Sequence, residues 1–257
     1  MRTDDKETIR QYFLGQEDGH IYFFYRPKAI EAHSIDDVAS LLVVLRPLDS
    51  KTFRLISLDT PRLPVEGDNF NMTVGHVEKA DAKQHVIVHE LAEKSVMVGG
   101  VPQVKKAAAR PCGEGVYTIV IQENRAHLVY VLELPRVDGR LRDALRIGTE
   151  GNLVIGVYNP LFEVTPEEEP ATHKPNLDET LKANLGTDHI IYHHLPQLLN
   201  YSHVKLAIFK ESSAETNYIQ KQLHPLKDTQ QTADIFSDLK LQKEKYPVLP
   251  LLRGEWQ

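Results

Sequence analysis

Cysteine is almost absent from this chain. Cys112 is the only one, so no internal disulfide can form, and a lone cysteine fits a reducing compartment. Long apolar runs are missing too: no segment approaches the roughly 20 apolar residues of a membrane helix. Basic charge is not in excess. The 30 Lys and Arg are outnumbered by 36 Asp and Glu, for a net charge of −6, which argues against a dedicated nucleic-acid binder. The first residues, Met-Arg-Thr-Asp-Asp-Lys-Glu-Thr-Ile-Arg, contain no apolar stretch of the kind a secretory signal carries. There is no Gly-x-Ser-x-Gly elbow, no Gly-Lys phosphate loop and no paired-cysteine metal motif. These absences predict a soluble cytoplasmic protein with neither membrane nor nucleic acid as partner.

What the chain does have is strands. A pair of apolar segments recurs three times: Ile21–Tyr25 with Leu41–Leu45, Val116–Ile121 with Leu128–Leu132, and Ile190–Tyr192 with Val204–Phe209. Their β-branched and aromatic residues suit a pleated, half-buried surface. The offsets between pair members are 20, 12 and 14 residues, too unequal for a stacked solenoid. Phe53–Leu58, Phe70–Val77 and Asn152–Tyr158 read as further strands. Short helices are expected near Ser34–Val38, over Ala82–Lys94 and Arg140–Ile147, and over Ser213–Leu223 and Thr229–Lys245. The sum is an α+β protein of mixed or antiparallel strand pairs, recurring about three times, with short helices.

The domain reading follows composition. Residues 1–160 hold two strand-pair units. Residues 161–180 read as an acidic, proline-rich loop or linker: between Glu163 and Glu179 six carboxylates face one lysine, and Pro160, Pro166, Pro170 and Pro175 punctuate the stretch. Residues 181–257 hold the third unit and C-terminal helices, packed on the first part. In the tail, Val248, Leu249, Leu251, Leu252 and Trp256 predict docking onto the core, and Pro247 and Pro250 argue against a regular helix there.

Three places could carry chemistry. In His85-Val-Ile-Val-His89-Glu90-Leu-Ala-Glu93, a helix would bring His85 and His89 to one face, with Glu93 a turn beyond as a carboxylate ligand. A strand would hold the two histidines about 13 Å apart. Glu93 stands where a zincin has its second histidine, so the pattern is incomplete; a solvated helix face explains the same residues. The histidines of His189-Ile-Ile-Tyr-His193-His194 alternate between the two faces of a strand. In the third place, Lys105, Lys106 and Arg110 precede Gly113-Glu-Gly115, where cations and glycine amides could hold an anion; a basic surface loop feeding a turn is the plainer account. Cys112 lies within that stretch as an ordinary loop thiol without a partner histidine.

The segments Arg110-Pro-Cys-Gly-Glu-Gly-Val-Tyr117, Ala126–Pro135, Val157-Tyr-Asn-Pro160, Leu198-Leu-Asn-Tyr201 and Tyr22-Phe-Phe-Tyr-Arg-Pro-Lys28 together resemble a family of uncharacterised prokaryotic proteins. The resemblance implies no activity, cofactor or catalytic residue. Cys112 and Tyr158 depart from its pattern, where a small residue and a lysine are expected. The expected function is therefore non-catalytic: binding of a partner protein or small anion, with no cofactor. The alternative is a metal-dependent hydrolase using the His85, His89, Glu90 and Glu93 segment, with zinc held by His85, His89 and Glu93.

Overall fold

The computed structural model describes residues 15–66, 72–98, 101–136, 139–162, 174–211, 214–227 and 234–256. Eleven strands are present among them: β1 (Gly15–Pro27), β2 (Val38–Pro47), β3 (Phe53–Leu58), β4 (Thr73–Asp81), β5 (Lys94–Val98), β6 (Val101–Lys106), β7 (Arg110–Gln122), β8 (Arg125–Leu134), β9 (Glu150–Tyr158), β10 (Ile190–Ile191) and β11 (Lys205–Lys210). Hydrogen bonding runs β9-β11-β4-β3-β2-β1-β7-β8, and β8 then pairs back onto β9. Every one of these pairings is antiparallel. The result is a closed eight-stranded barrel.

This overturns the α+β expectation. The strands do not form separate pairs backed by helices; they close on one another, and the helices only cover the outside and the ends. The local pairings of the first two units hold: β1 pairs with β2, and β7 with β8. The third does not. β10 and β11 do not pair with each other but lie along β9, β10 beside Val157 and Tyr158 and β11 beside Leu153 to Val157. The recurrence is therefore a repetition of strand chemistry, and its third member is not a structural unit.

Side-chain alternation divides the wall into two apolar faces. Ile21, Phe23 and Tyr25 of β1 and Leu41, Val43 and Leu45 of β2 point into the barrel. Tyr22, Phe24, Leu42 and Val44 point outward, beneath the helices Gln84–Leu91, Ile235–Leu239 and Leu249–Arg253. Both faces are covered, so these strands read as continuous apolar runs instead of alternating ones. On the opposite flank, Ile219 and Leu223 of the helix Ala214–Lys227 cover Val116, Val120, Val129 and Val131.

The interior of an eight-stranded barrel is just wide enough for side chains to fill, and here they fill it. Phe23 and Tyr130 meet at 5.3 Å between ring centroids, with Tyr117, Leu128 and Ile155 in the same core. At one end lies a buried ion pair. Arg54, 1% exposed, donates to both carboxylate oxygens of Glu17 at 2.6 and 2.8 Å. Tyr117 Oη donates to Glu17 at 2.6 Å. Arg54 also donates to Asn200 Oδ1 at 2.8 Å and to the Pro196 carbonyl at 2.9 Å. A buried pair is tolerated when its remaining hydrogen-bonding capacity is used. These bonds fasten the turn-rich segment 174–201, with its buried Leu181, Leu195 and Leu198, over that end.

The opposite end is closed by the short 3-10 turn Ile35–Asp37, residues 59–64, the helix Arg140–Leu145 and Trp256, which packs edge-on against Tyr25 at 5.7 Å. The tail docks on the core through Leu251 and Trp256, while Leu249 and Leu252 are exposed, and the expectation that its prolines forbid a helix is corrected: Leu249–Arg253 is one helical turn with Pro250 near its start. Proline is tolerated there because the first helical amides have no intrahelical partner. Residues 163–173 of the acidic stretch lie outside the described residues. No described helix is long and apolar enough to cross a membrane.

Candidate anion-binding site

A concavity lies at this second end. Residues Thr60-Pro-Arg-Leu-Pro64 leave β3, turn across the mouth and stand beside Met72 and Thr73 at the start of β4. The helix Arg140–Leu145 ends there in Arg146, which adopts the left-handed conformation (φ 60°, ψ 30°). A hydrogen bond from Leu63 N to Leu145 O, 3.0 Å, joins the two segments. Between them is a cavity of about 300 Å³, lined by Thr60, Pro61, Arg62, Leu63, Pro64, Met72, Thr73 and Arg146. That volume is at the small end for ligand pockets, roughly 300–1,000 Å³.

The lining carries two cations and no carboxylate. The Arg62 and Arg146 guanidinium groups make no hydrogen bond or ion pair among the described residues. Among the described lining residues no carboxylate offsets the two arginines. Thr60 Oγ1 donates to the Arg62 carbonyl at 2.9 Å and lies 3.4 Å from Thr73 Oγ1, fixing the loop against β4. Leu63 and Pro64 are buried and give the floor.

The anion residues expected from sequence do not meet in one place. Lys105 is exposed and Lys106 half-buried on β6. Burial and the nearby Arg26 charge hold the Lys106 ammonium below its usual range. Arg110 is buried and donates to the Ile30 carbonyl. Gly113 and Gly115 are in the barrel wall, not in a loop. A Cβ at Gly115 would stand 2.1 Å from the Val131 carbonyl oxygen, so glycine serves close strand contact there. Cys112 faces the core, and burial pushes its thiol up, away from the reactive thiolate form.

His85 and His89 do share the exposed side of the helix Gln84–Leu91. The helix stops at Leu91, however. Glu93 lies past its end, accepting from Ser95 at 3.1 Å, while Glu90 pairs with Lys94 at 2.6 Å. The helix was expected to run three residues further, and this shortening separates Glu93 from the two rings. Among the described residues no three His, Cys, Asp or Glu side chains gather to hold a metal. In the other histidine cluster, His189 stacks on Phe162 at 4.3 Å while His193 and His194 meet edge-on at 5.0 Å.

A second polar cluster sits on the outer wall, where Asp238 is clasped by the barrel. Tyr22 Oη and Arg46 donate to it, and His20 Nδ1 lies 2.9 Å away. Burial opposes ionisation of Asp238, but the bonds from His20 and Tyr22 and the Arg46 charge hold it below the usual carboxylate range. Beside it, Glu114 accepts from the Ile235 amide at 2.9 Å. Burial, reinforced by Asp234, Glu133 and Asp238, pushes Glu114 up to about 7. The cluster fastens the helix Ile235–Leu239 to the wall.

Sequence reading missed Arg62 and Arg146. The signal for Arg62 is an arginine bracketed by prolines after a strand; nothing in the sequence joins it to Arg146. Comparison of the chain with protein-family models, curated proteins and solved structures finds no match.

Proposed function

We propose that this protein is a non-catalytic binding protein whose ligand is a small anion, held at the barrel mouth by Arg62 and Arg146. One observation carries the reading: two guanidinium groups with no partner among the described residues line the same cavity. Arginine presents a planar fork of donors that matches carboxylate and phosphate oxygens. The remainder of the molecule supports a scaffold role. Among the described residues the barrel interior is one apolar cluster, and the buried Arg54–Glu17 pair joins the wall to the segment 174–201. A cytosolic setting belongs to the same proposal and rests on the single buried thiol and the acidic composition.

The test is calorimetric titration with inorganic phosphate and with sulfate at fixed ionic strength, for the intact chain and for Arg62→Ala/Arg146→Ala. Saturable binding by the intact chain is expected. The double variant is expected to lose about tenfold or more in affinity, the scale of a charge-assisted hydrogen bond. Both arginines reach solvent, so the variant should melt near the parent. Binding that survives the double substitution unchanged, or no binding by the intact chain, overturns the reading.

A further inference from the structure

The described lining of the cavity mixes two chemistries. Arg62 and Arg146 present donors, with the Thr73 hydroxyl beside them, while the side chains of Pro61, Leu63, Pro64 and Met72 present only carbon and sulfur. We infer that the ligand is an organic phosphomonoester, its phosphoryl group between the two guanidiniums and its apolar alcohol portion against the proline, leucine and methionine side. This rests on the anion-binding reading and adds the ligand's class to it.

Charge decides the head group. Two arginines with no carboxylate in the described lining leave two positive charges to neutralise. A single carboxylate supplies one negative charge. A phosphomonoester carries about −1.5 to −2 at neutral pH and offers three acceptor oxygens, enough to engage both forks and a threonine hydroxyl. Thr73 Oγ1 lies on the buried start of β4, so a hydroxyl is held in place at the base of the site.

Size and polarity decide the body. Water takes about 30 Å³ per molecule in the liquid, so the cavity of about 300 Å³ suits a ligand on the order of ten non-hydrogen atoms. Inorganic phosphate, with five, leaves much of it unfilled. Four of the eight described lining residues, Pro61, Leu63, Pro64 and Met72, have side chains that donate no hydrogen bond, and water against them is poorly satisfied. An apolar group displacing such water gains affinity. Met72, 37% exposed, is an adaptable wall that can close on bodies of differing shape. An open mouth, not an enclosed chamber, also fits a body that extends outward.

The experiment titrates the intact chain with phenyl phosphate, inorganic phosphate, benzoate and phenol under one buffer and ionic strength. Phenyl phosphate is expected to bind about tenfold or more tighter than inorganic phosphate, the gain from burying most of an aromatic ring. Benzoate and phenol should bind weakest. Met72→Gln, on the exposed rim, should erase most of the advantage of phenyl phosphate over inorganic phosphate. If inorganic phosphate binds and phenyl phosphate binds no tighter, the phosphomonoester inference fails and the anion reading stands. If benzoate matches phenyl phosphate, the site is for carboxylates and the inference again fails. If none of the anions binds, both fall.

Discussion

At the scale of single residues, the most telling side chain is Glu114. It is 6% exposed and sits among Asp234, Asp238 and Glu133, opposite Tyr22 across the β1–β7 pair. Its folded-state pKa of about 7 exceeds the ordinary value of 4.5. Below pH ~4.5 the carboxyl is protonated in both folded and unfolded chains and contributes no pH dependence. Between there and ~7 the unfolded chain releases the proton first, so the group's contribution to stability falls as pH rises and reaches its full penalty above ~7. Glu114→Gln keeps an acceptor for the Ile235 amide without the charge. It is expected to stabilise the protein by about 2–3 kcal/mol at pH 8 and to change nothing at pH 4. Urea unfolding at the two pH values checks this; a gain that is equal at both would show that the charge is not the cause. None of this was legible in the sequence, where Gly113-Glu-Gly115 suggested a loop. The glycines marked close strand contact, and the burial of the glutamate between them depends on a helix more than a hundred residues away.

At the scale of elements, local pattern was a good guide where neighbours in sequence decide structure. Phe53–Leu58 is a strand over the expected span, and Arg140–Leu145 a helix within two residues of it. Pattern failed where tertiary contact decides. Thr229–Lys245 carries helical spacing, yet only Ile235–Leu239 is helical within its described part, because Ile235 and Leu239 are the residues the wall accepts. Lys240 then turns left-handed and ends it. The tail is a related case. Its prolines forbid a long helix, not a single turn. That turn buries Leu251 and Pro250, places the Gly254 carbonyl 3.1 Å from the Leu141 amide it accepts from, and brings Trp256 to Tyr25. Deleting residues 247–257 removes these contacts together. The expected loss is about 4 kcal/mol, a fall of roughly 10 °C in melting temperature. Calorimetry of the truncated chain checks it; a melting temperature within a degree or two of the parent would show that the tail is dispensable to the barrel.

At the scale of the whole molecule, closure was the feature sequence could not reveal. Alternating and continuous apolar strands look the same in an open sheet and in a barrel. Closure depends on β9, which accepts β8 along one edge and β11 along the other. Those partners come from opposite sides of the acidic stretch, so a boundary drawn from composition at 161–180 runs through the middle of one sheet. The consequence is a strong dependence of the first part on the last. Without β11, β4 and β9 each lose a partner and expose a row of unpaired backbone groups. The Arg54–Glu17 pair simultaneously loses its bonds to Asn200 and Pro196, leaving buried donors unsatisfied. Residues 1–162 expressed alone are therefore expected to aggregate or remain without fixed tertiary structure. Adding the fragment 174–257, or co-expressing it, should restore a soluble complex with the near-ultraviolet circular dichroism of the intact chain. Size-exclusion chromatography and circular dichroism of the two fragments, separately and mixed, provide the check. A soluble, monomeric 1–162 fragment with the native aromatic spectrum would mean that the first strands close without β11, and that the barrel is not the cooperative unit its hydrogen bonding describes.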